Sequence, residues 1–177
     1  MVARLRPVHS WHAAVLRGLV RNAKHALIGI GSSNKYDLEN PFTVAETADM
    51  IRAVLAEHTN YKILEVPDLG NGPRWRAMVQ QLLGPVDLFV TSNSYVYSLM
   101  REVYPIMHPV RLVAAGERRQ LTGTAVRVAM ARGGEDWARL VPPCVADYLR
   151  KHALVERFRR EFGPATLLAA GEPPTAG

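Results

Sequence analysis

Short apolar runs alternate with amphipathic stretches along most of the chain. The apolar runs are bounded by polar residues or glycine and predict buried strands over 25–31, 61–66, 87–92 and 110–113. Apolar residues recur at helical spacing between them and predict helices over 13–20, 44–57, 74–83, 95–103 and 122–131, and one or two terminal helices over 145–162. Thr43 and Glu46 have the spacing of a capping box, which places one helix start at Val44. Alternating strands and helices predict an α/β fold with a parallel sheet and helices on both faces.

The pattern divides the chain into one domain over 1–162 and a tail over 163–177. A length of 177 residues suits a single domain with a real core. After Gly163 the residues are mostly Pro, Gly and Ala without core periodicity, so we expect a flexible tail. Few residues precede the first polar motif, so we expect a first strand that is short or that begins upstream of Met1.

The charge balance favours a partner rich in phosphate. The net charge is +6 and the pI is about 9.8, which fits either a nucleotide or a nucleic acid. The positive residues are spread out, and the one dense run, 157–160, is typical of a solvated helix face. We therefore expect a nucleotide and no nucleic acid.

Cysteine and apolar content bear on the compartment. The single cysteine, Cys144, rules out a disulfide framework within the chain and favours a reducing, cytoplasmic location. No apolar run is long enough for a signal peptide or a membrane span, so no membrane partner is expected.

Two histidines near the start are the first candidates for chemistry. If a helix begins near Ser10, His9 and His12 share a face and point at one anion at its positive end. Imidazoles there could donate hydrogen bonds to the charge that builds on a departing pyrophosphate. A zinc pair is disfavoured because no third ligand or Glu base accompanies it. Two surface histidines without a role remain an alternative.

A second candidate lies far downstream, at the start of a predicted helix. Thr122 would cap that helix, Gly123 would let a phosphate approach the backbone, and Thr124 would add a hydroxyl donor. Arg127, about one turn further, would reach phosphate oxygens. A plain Thr cap with an exposed Arg remains an alternative. Together with the histidines, this run indicates a triphosphate site and nucleotidyl transfer.

Other candidates lie where predicted strands end, because ligands of parallel sheets gather at the carboxyl ends of the strands. Polar or glycine residues follow these ends at His9, Gly31-Ser32, Pro67-Asp68 and Ser92-Asn93. Trp75 stands at a strand-to-helix junction just after Asn71, where an indole could stack on a flat ring or simply pack in the core.

These pieces, in this order, resemble the archaeal-type nicotinamide-mononucleotide adenylyltransferases of the HxGH nucleotidylyltransferase superfamily. The family's GRFQPFHxGH start lies along 3–12, IGIGSA along 28–33, LENPFTAGER along 38–47, SGN along 91–93 and SGTxxR along 122–127. The LENPFT match is the most specific, because generic HxGH enzymes lack it. The likeness runs from residue 3 to about residue 160.

The resemblance implies a Rossmann-like fold and a reaction that joins ATP and nicotinamide mononucleotide to give NAD and pyrophosphate. It implies Mg²⁺ held mainly by the ATP phosphates, no metal site made by the protein, and a homo-oligomer, since family members often self-associate.

The resemblance also assigns residues to each substrate. The catalytic contacts to phosphate would come from His9, His12 and Arg127. ATP would further be bound by Arg4, Ser92, Asn93, Thr122, Gly123 and Thr124, with Ser92 and Asn93 in the adenosine pocket. The acceptor would be bound by Trp75, stacked on the nicotinamide ring, and by Gly31, Ser32 and Asn71.

Three positions depart from the family pattern and leave other functions open. Trp11 stands in place of the glycine between the histidines, Thr47 replaces an arginine, and Arg6 replaces a glutamine and could restore the lost charge. We expect the Trp11 indole to swing outward, so that the site still works. The alternatives are a cytidylyltransferase or another superfamily enzyme with a different acceptor, and a nucleotide-binding protein with little or no turnover.

Overall fold

A parallel sheet forms the centre of the first half of the chain. The computed structural model describes residues 1–118 and 121–173. Its first sheet has the order β1 (Val2–Ala3), β2 (Ala26–Gly31) and β3 (Tyr61–Val66). Both pairings are parallel, with Val2 opposite Gly29 and Gly31 opposite Val66. A separate parallel pair is formed by β4 (Phe89–Val90) and β5 (Ile106–Met107). The strand β2 is a short apolar run with five of its six residues buried, as expected for a strand covered on both faces, whereas β3 carries the exposed residues Lys62 and Glu65.

Helices cover both faces of this sheet, which confirms the predicted α/β fold. The helices are α1 (Ser10–Asn22), α2 (Val44–Val54), α3 (Gly72–Leu83), α4 (Ser94–Met100), α5 (Gly123–Ala131), α6 (Pro143–Lys151) and α7 (Leu154–Ala169). Short 3₁₀ turns lie at Pro109–Leu112, Ala115–Glu117 and Asp136–Leu140. None of the helices described is long and apolar enough to cross a membrane.

The alternation of side chains along the strands divides the core into two clusters. Ile28 and Ile30 of β2 pack with α1, α2, α5, α6 and α7 on one face. On the other face, Val66 of β3 packs with α3 and α4, and Leu27 and Leu64 pack against that cluster. Successive strand residues point to opposite faces, so one strand serves both clusters.

The predicted strand over 110–113 is wrong. Residues Pro109–Leu112 form a 3₁₀ turn, and the strand that pairs with β4 lies just before it, at Ile106–Met107. Pro109 has no N–H to give to a sheet, and its fixed φ suits the first position of a helical turn. The side chain of His108 accepts a hydrogen bond from Val110 N at 3.2 Å and caps that turn.

The predicted flexible tail is also wrong for 163–169, because α7 continues through Gly163 and Pro164 to Ala169. Leu167 is only 1% exposed and belongs to the larger core cluster. Beyond the helix, Glu172 pairs with Arg132 at 2.5 Å. Residues 174–177 of the predicted tail lie outside the described residues.

Candidate functional site at the carboxyl ends of the strands

A cavity lies where the sequence predicts the site, at the carboxyl ends of β1, β2 and β4. Its volume is about 650 Å³, and its wall includes the start of α1, the loop after β3 and the start of α5. Most predicted site residues line it: Arg4, His9, His12, Gly31, Ser32, Asn71, Trp75, Ser92, Asn93, Thr122 and Gly123. The structure therefore brings together residues up to 119 positions apart in sequence, since both Arg4 and Gly123 lie on this wall.

The two histidines form a stacked pair at the start of α1. His9 is the N-cap, and its Nδ1 accepts a hydrogen bond from the backbone N–H of His12 at 3.3 Å. The ring centroids lie 3.5 Å apart and the ring planes differ by 18°. Because the helix has no acidic residue in its first turn, its positive end is open to an anion from the cavity.

Both imidazoles are neutral near pH 7 in this environment. Burial lowers the pKa of His9 from 6.5 to about 2, and the neighbouring charges of His12 and Arg127 act in the same direction. Burial likewise lowers the pKa of His12 from 6.5 to about 4. A backbone hydrogen bond to Pro7 raises the pKa of His12 but does not offset the effect of burial. A neutral imidazole has one N–H to donate, and the His9 Nδ1 already accepts from His12 N, so the N–H of His9 is on Nε2.

The start of α5 forms the opposite wall, as a capped helix with a buried arginine behind it. Thr122 Oγ1 accepts from Ala125 N at 3.1 Å, which confirms the predicted cap. Arg127 is 9% exposed, and it donates to Arg6 O at 3.1 Å and to Thr124 Oγ1 at 3.2 Å. Burial lowers the pKa of Arg127 from its ordinary value. Its charge lies beneath the helix start, not in solvent.

Two predicted contacts on this side do not reach the cavity. Among the described residues, Thr122 and Gly123 line it, whereas Thr124 and Arg127 do not. A Cβ on Gly123 would lie 3.1 Å from Arg127 Nη1. The absence of a side chain at 123 therefore leaves room for the guanidinium beneath a residue that lines the cavity.

Arg6, which follows β1, forms hydrogen bonds to the loop after β2. Its side chain is 2% exposed, and Nη1 donates to Ser32 O at 3.3 Å and to Lys35 O at 3.0 Å. Lys35 in turn pairs with Asp68 at 2.6 Å. Arg6 therefore holds the loop after β2, which leaves the sheet at Ser32, where φ is +51°. Within the described residues its Nε and Nη2 are buried and unpaired.

Arg4 lines the cavity but also forms an ion pair with Glu39. Both side chains are more than half exposed, at 51% and 65%, so water screens the pair and it contributes little to stability. Arg4 is therefore free to exchange Glu39 for a more highly charged anion.

The far end of the cavity is built by two helix starts. Asn71 caps α3 and accepts from Arg74 N at 3.0 Å, and Asn93 caps α4 and accepts from Val96 N at 2.9 Å. Trp75 lies one turn into α3, where it packs against the smaller core cluster and is among the residues that line the cavity. Ser92 precedes the second cap.

The positions that depart from the family pattern differ in where the fold places them. Trp11 is half-buried and is among the residues that line the cavity, and the expectation that its indole points outward stays a prediction. Trp11 does not separate the histidines, whose rings remain stacked. Thr47 is fully buried, and its hydroxyl donates to Thr43 O at 2.8 Å inside α2.

Comparison with known proteins identifies the family. No protein-family model matches the chain. The chain is similar to the nicotinamide-nucleotide adenylyltransferase of Methanoculleus marisnigri, with 32% identity over 92% of this chain and 95% of the relative. It is also similar to the enzymes of that name from Methanocorpusculum labreanum, with 33% identity over 90% of this chain and 94% of the relative, and Archaeoglobus fulgidus, with 30% identity over 89% and 93%. The chain belongs to the nicotinamide-nucleotide adenylyltransferase family. The resemblance found in the motifs is thereby confirmed.

Some wall residues of this family member were missed by sequence reasoning. Tyr95, Val96, Pro109 and Leu121 line the cavity together with the predicted residues. Leu121 adjoins the Thr122 motif and Tyr95 follows Asn93 by two positions, so their closeness to a motif could have indicated that they line the site. Nothing in the sequence near Pro109 indicates the same, because its position depends on how the 3₁₀ turn packs on α1.

Proposed function

We propose that this chain transfers the adenylyl group of ATP to nicotinamide mononucleotide, giving NAD and pyrophosphate. The 5′-phosphate of the mononucleotide attacks the α-phosphorus of ATP. The new bond joins that oxygen to the α-phosphorus, and the bond between the α-phosphorus and the bridging oxygen of pyrophosphate breaks. No protein nucleophile is needed, so the protein acts by positioning the substrates and stabilising charge.

The observation that best supports this proposal is a single cavity that has the histidine pair on its wall together with Trp75. The open start of α1, with His9 and His12 on the cavity wall, suits the triphosphate of ATP. Negative charge builds on the leaving pyrophosphate, and donors already in place stabilise it without reorganising.

The opposite wall supports the same phosphates. Thr122 and Gly123 would present the backbone at the start of α5, and Arg127 would act from directly beneath it. Arg4 would turn from Glu39 to the triphosphate, which offers a higher negative charge. Ser92 and Asn93 would line the adenosine pocket.

The acceptor would occupy the end of the cavity at α3. The Trp75 indole would stack on the nicotinamide ring, and Gly31, Ser32 and Asn71 would surround the rest of the mononucleotide. The Arg6 contacts to Ser32 O and Lys35 O hold this loop in place for the acceptor.

We propose that Mg²⁺ enters with ATP and is held mainly by phosphate oxygens. Within the part of the chain that the structure describes, no three His, Cys, Asp or Glu side chains are grouped as metal ligands, and a magnesium ion that keeps its phosphate and water ligands needs no such group. When bound, it neutralises charge on the phosphates that leave.

A nucleotide-binding protein with little turnover is the second candidate, because Trp11 lines the cavity at a position where the family has glycine. Purified protein incubated with Mg²⁺, each nucleoside triphosphate and a panel of phosphorylated acceptors separates the candidates by pyrophosphate release. We expect release with ATP and nicotinamide mononucleotide. Release with CTP alone would contradict the proposal, and binding without release would favour the second candidate.

A further inference from the structure

Tyr95 is a large aromatic side chain that lies largely in solvent at the edge of the cavity. It is the second residue of α4, and it is 61% exposed while also lining the cavity wall. An exposed aromatic ring beside a cavity gains a great deal of apolar contact when a ligand arrives.

The position of the Tyr95 ring is set by a glycine on the neighbouring helix. A Cβ at Gly72 would overlap the Tyr95 hydroxyl oxygen and would lie 3.1 Å from Leu99 Cδ2. Gly72 is not among the glycines with positive φ, so its backbone conformation does not require glycine. The missing side chain instead makes room for the phenol over the start of α3.

This placement brings the phenol and the Trp75 indole to the same end of the cavity. Gly72 and Trp75 are three positions apart on α3 and share one face of it. The Tyr95 phenol lies over Gly72, and Tyr95 and Trp75 are both among the residues that line the cavity.

We propose that Tyr95 is a specificity-determining residue that, with Trp75, binds the planar, positively charged pyridinium ring of the acceptor. This inference rests on the proposed function and deepens it. Aromatic faces attract a cation through their quadrupole, and a ring held between or beside two such faces excludes water. The phenol ring, not its hydroxyl, supplies the attraction, so phenylalanine should serve nearly as well.

Two measurements on matched variants test this inference. The first is the KM of each substrate in Tyr95→Ala and Tyr95→Phe. The second is the Kd for nicotinamide mononucleotide without ATP, read from quenching of tryptophan fluorescence. Tyr97→Ala is the control, because Tyr97 is 47% exposed on the same helix but is not among the residues lining the cavity.

We expect Tyr95→Ala to raise the acceptor KM and Kd about tenfold, as the loss of one aromatic face predicts. The KM for ATP should change by less than about twofold. Tyr95→Phe should stay close to the parent, and Tyr97→Ala should match it. Gly72→Ala should weaken binding of the acceptor but not of ATP, because the new methyl group displaces the Tyr95 ring.

Unchanged acceptor affinity in Tyr95→Ala would overturn the inference, and so would an equal loss for ATP, which would indicate a structural role. An equal effect of Tyr97→Ala would also overturn the inference, because Tyr97 is not among the residues lining the cavity. A parent that binds the mononucleotide through Tyr95 but makes no NAD would refute the proposed function alone. A parent that does not bind the mononucleotide would refute both.

Discussion

Arg127 holds its charge in the interior, 9% exposed, behind a helix start that has no side chain at Gly123. A charge in this position is useful when an anion lies on the other side of the glycine. We expect Arg127→Ala to lower turnover roughly a hundredfold, equivalent to about 3 kcal/mol of transition-state stabilisation. Steady-state kinetics with ATP and nicotinamide mononucleotide measure this.

Arg132→Ala is the matched control for Arg127→Ala. Arg132 follows α5, and its guanidinium pairs with Glu172 on the surface, so its removal should leave turnover unchanged. Urea unfolding of both variants separates lost catalysis from lost stability, because Arg127 also donates to Arg6 O. Full activity in Arg127→Ala would mean that the motif at 122–127 is only a helix cap.

Substitution of Trp11 tests whether the site is intact. Trp11 lines the cavity, yet the His9 and His12 rings are stacked and the cavity has a volume of about 650 Å³. We therefore expect Trp11→Gly to change the ATP affinity and turnover by only a few-fold, roughly 1 kcal/mol or less. Isothermal titration and kinetics measure the two quantities. A gain of orders of magnitude from a nearly inactive parent would identify the parent as a degenerate site.

Residue-level prediction from sequence succeeded where the cause is local. The capping box of Thr43 and Glu46 and the cap at Thr122 follow from a few neighbouring residues, and both are present. The burial of Arg127 was not predictable, because it depends on contact with Arg6, which is distant in sequence.

At the scale of the elements, α1 packs closely against the 3₁₀ turn at Pro109–Leu112 because Gly18 has no side chain. A Cβ at this position would overlap the carbonyl oxygen of Leu112, and a backbone atom cannot yield as a flexible side chain can. Alanine normally stabilises a helix interior by about 1 kcal/mol relative to glycine. Overpacking costs about 1–3 kcal/mol, so we expect Gly18→Ala to destabilise the fold by about 1 kcal/mol.

Chemical denaturation of Gly18→Ala checks this expectation, with Gly116→Ala as control. A Cβ at Gly116 would meet no heavy atom within 4 Å, so the control should keep the stability of the parent. A net gain in stability for Gly18→Ala would show that the turn does not pack against α1 as described.

The error over α7 shows why helix ends are hard to predict from sequence. Gly163 and Pro164 together are typical of a helix stop, and a proline in a helix interior costs about 3 kcal/mol. The helix nevertheless continues, with Thr166 and Leu167 buried. Burial of a leucine side chain offsets about 1.5–3 kcal/mol of that cost. The core that receives this turn is formed by α5, which lies elsewhere in the sequence.

At the scale of the whole molecule, the buried histidines link stability to pH. Their pKa values fall from 6.5 to about 2 for His9 and about 4 for His12. The unfolded chain therefore binds more protons than the folded chain below pH 6.5, and stability decreases as the pH falls. We expect each histidine to account for a loss of about 2 kcal/mol between pH 6.5 and pH 4.5.

Urea unfolding at a series of pH values measures this loss. The double variant His9→Asn with His12→Asn should show a shallower decrease, because its folded and unfolded states differ less in proton uptake. His25→Asn, at an exposed position before β2, should keep the slope of the parent. An equal slope in the parent and the double variant would contradict the burial of neutral imidazoles.

Sequence reasoning predicted the family, the sheet and most of the cavity wall, because motifs and strand ends are local and the parallel topology places them together. It did not predict Tyr95 over Gly72, since that contact joins two helix starts. It also placed the strand after α4 a few residues too late.

The most direct test of the account is the identity of the product. Purified protein is incubated with ATP, nicotinamide mononucleotide and Mg²⁺, and NAD and pyrophosphate are quantified in the same samples, with Arg127→Ala in parallel. The account predicts that the two products form in equal amounts and that the variant makes far less of both. Tight binding of ATP and nicotinamide mononucleotide with no NAD formed would contradict it.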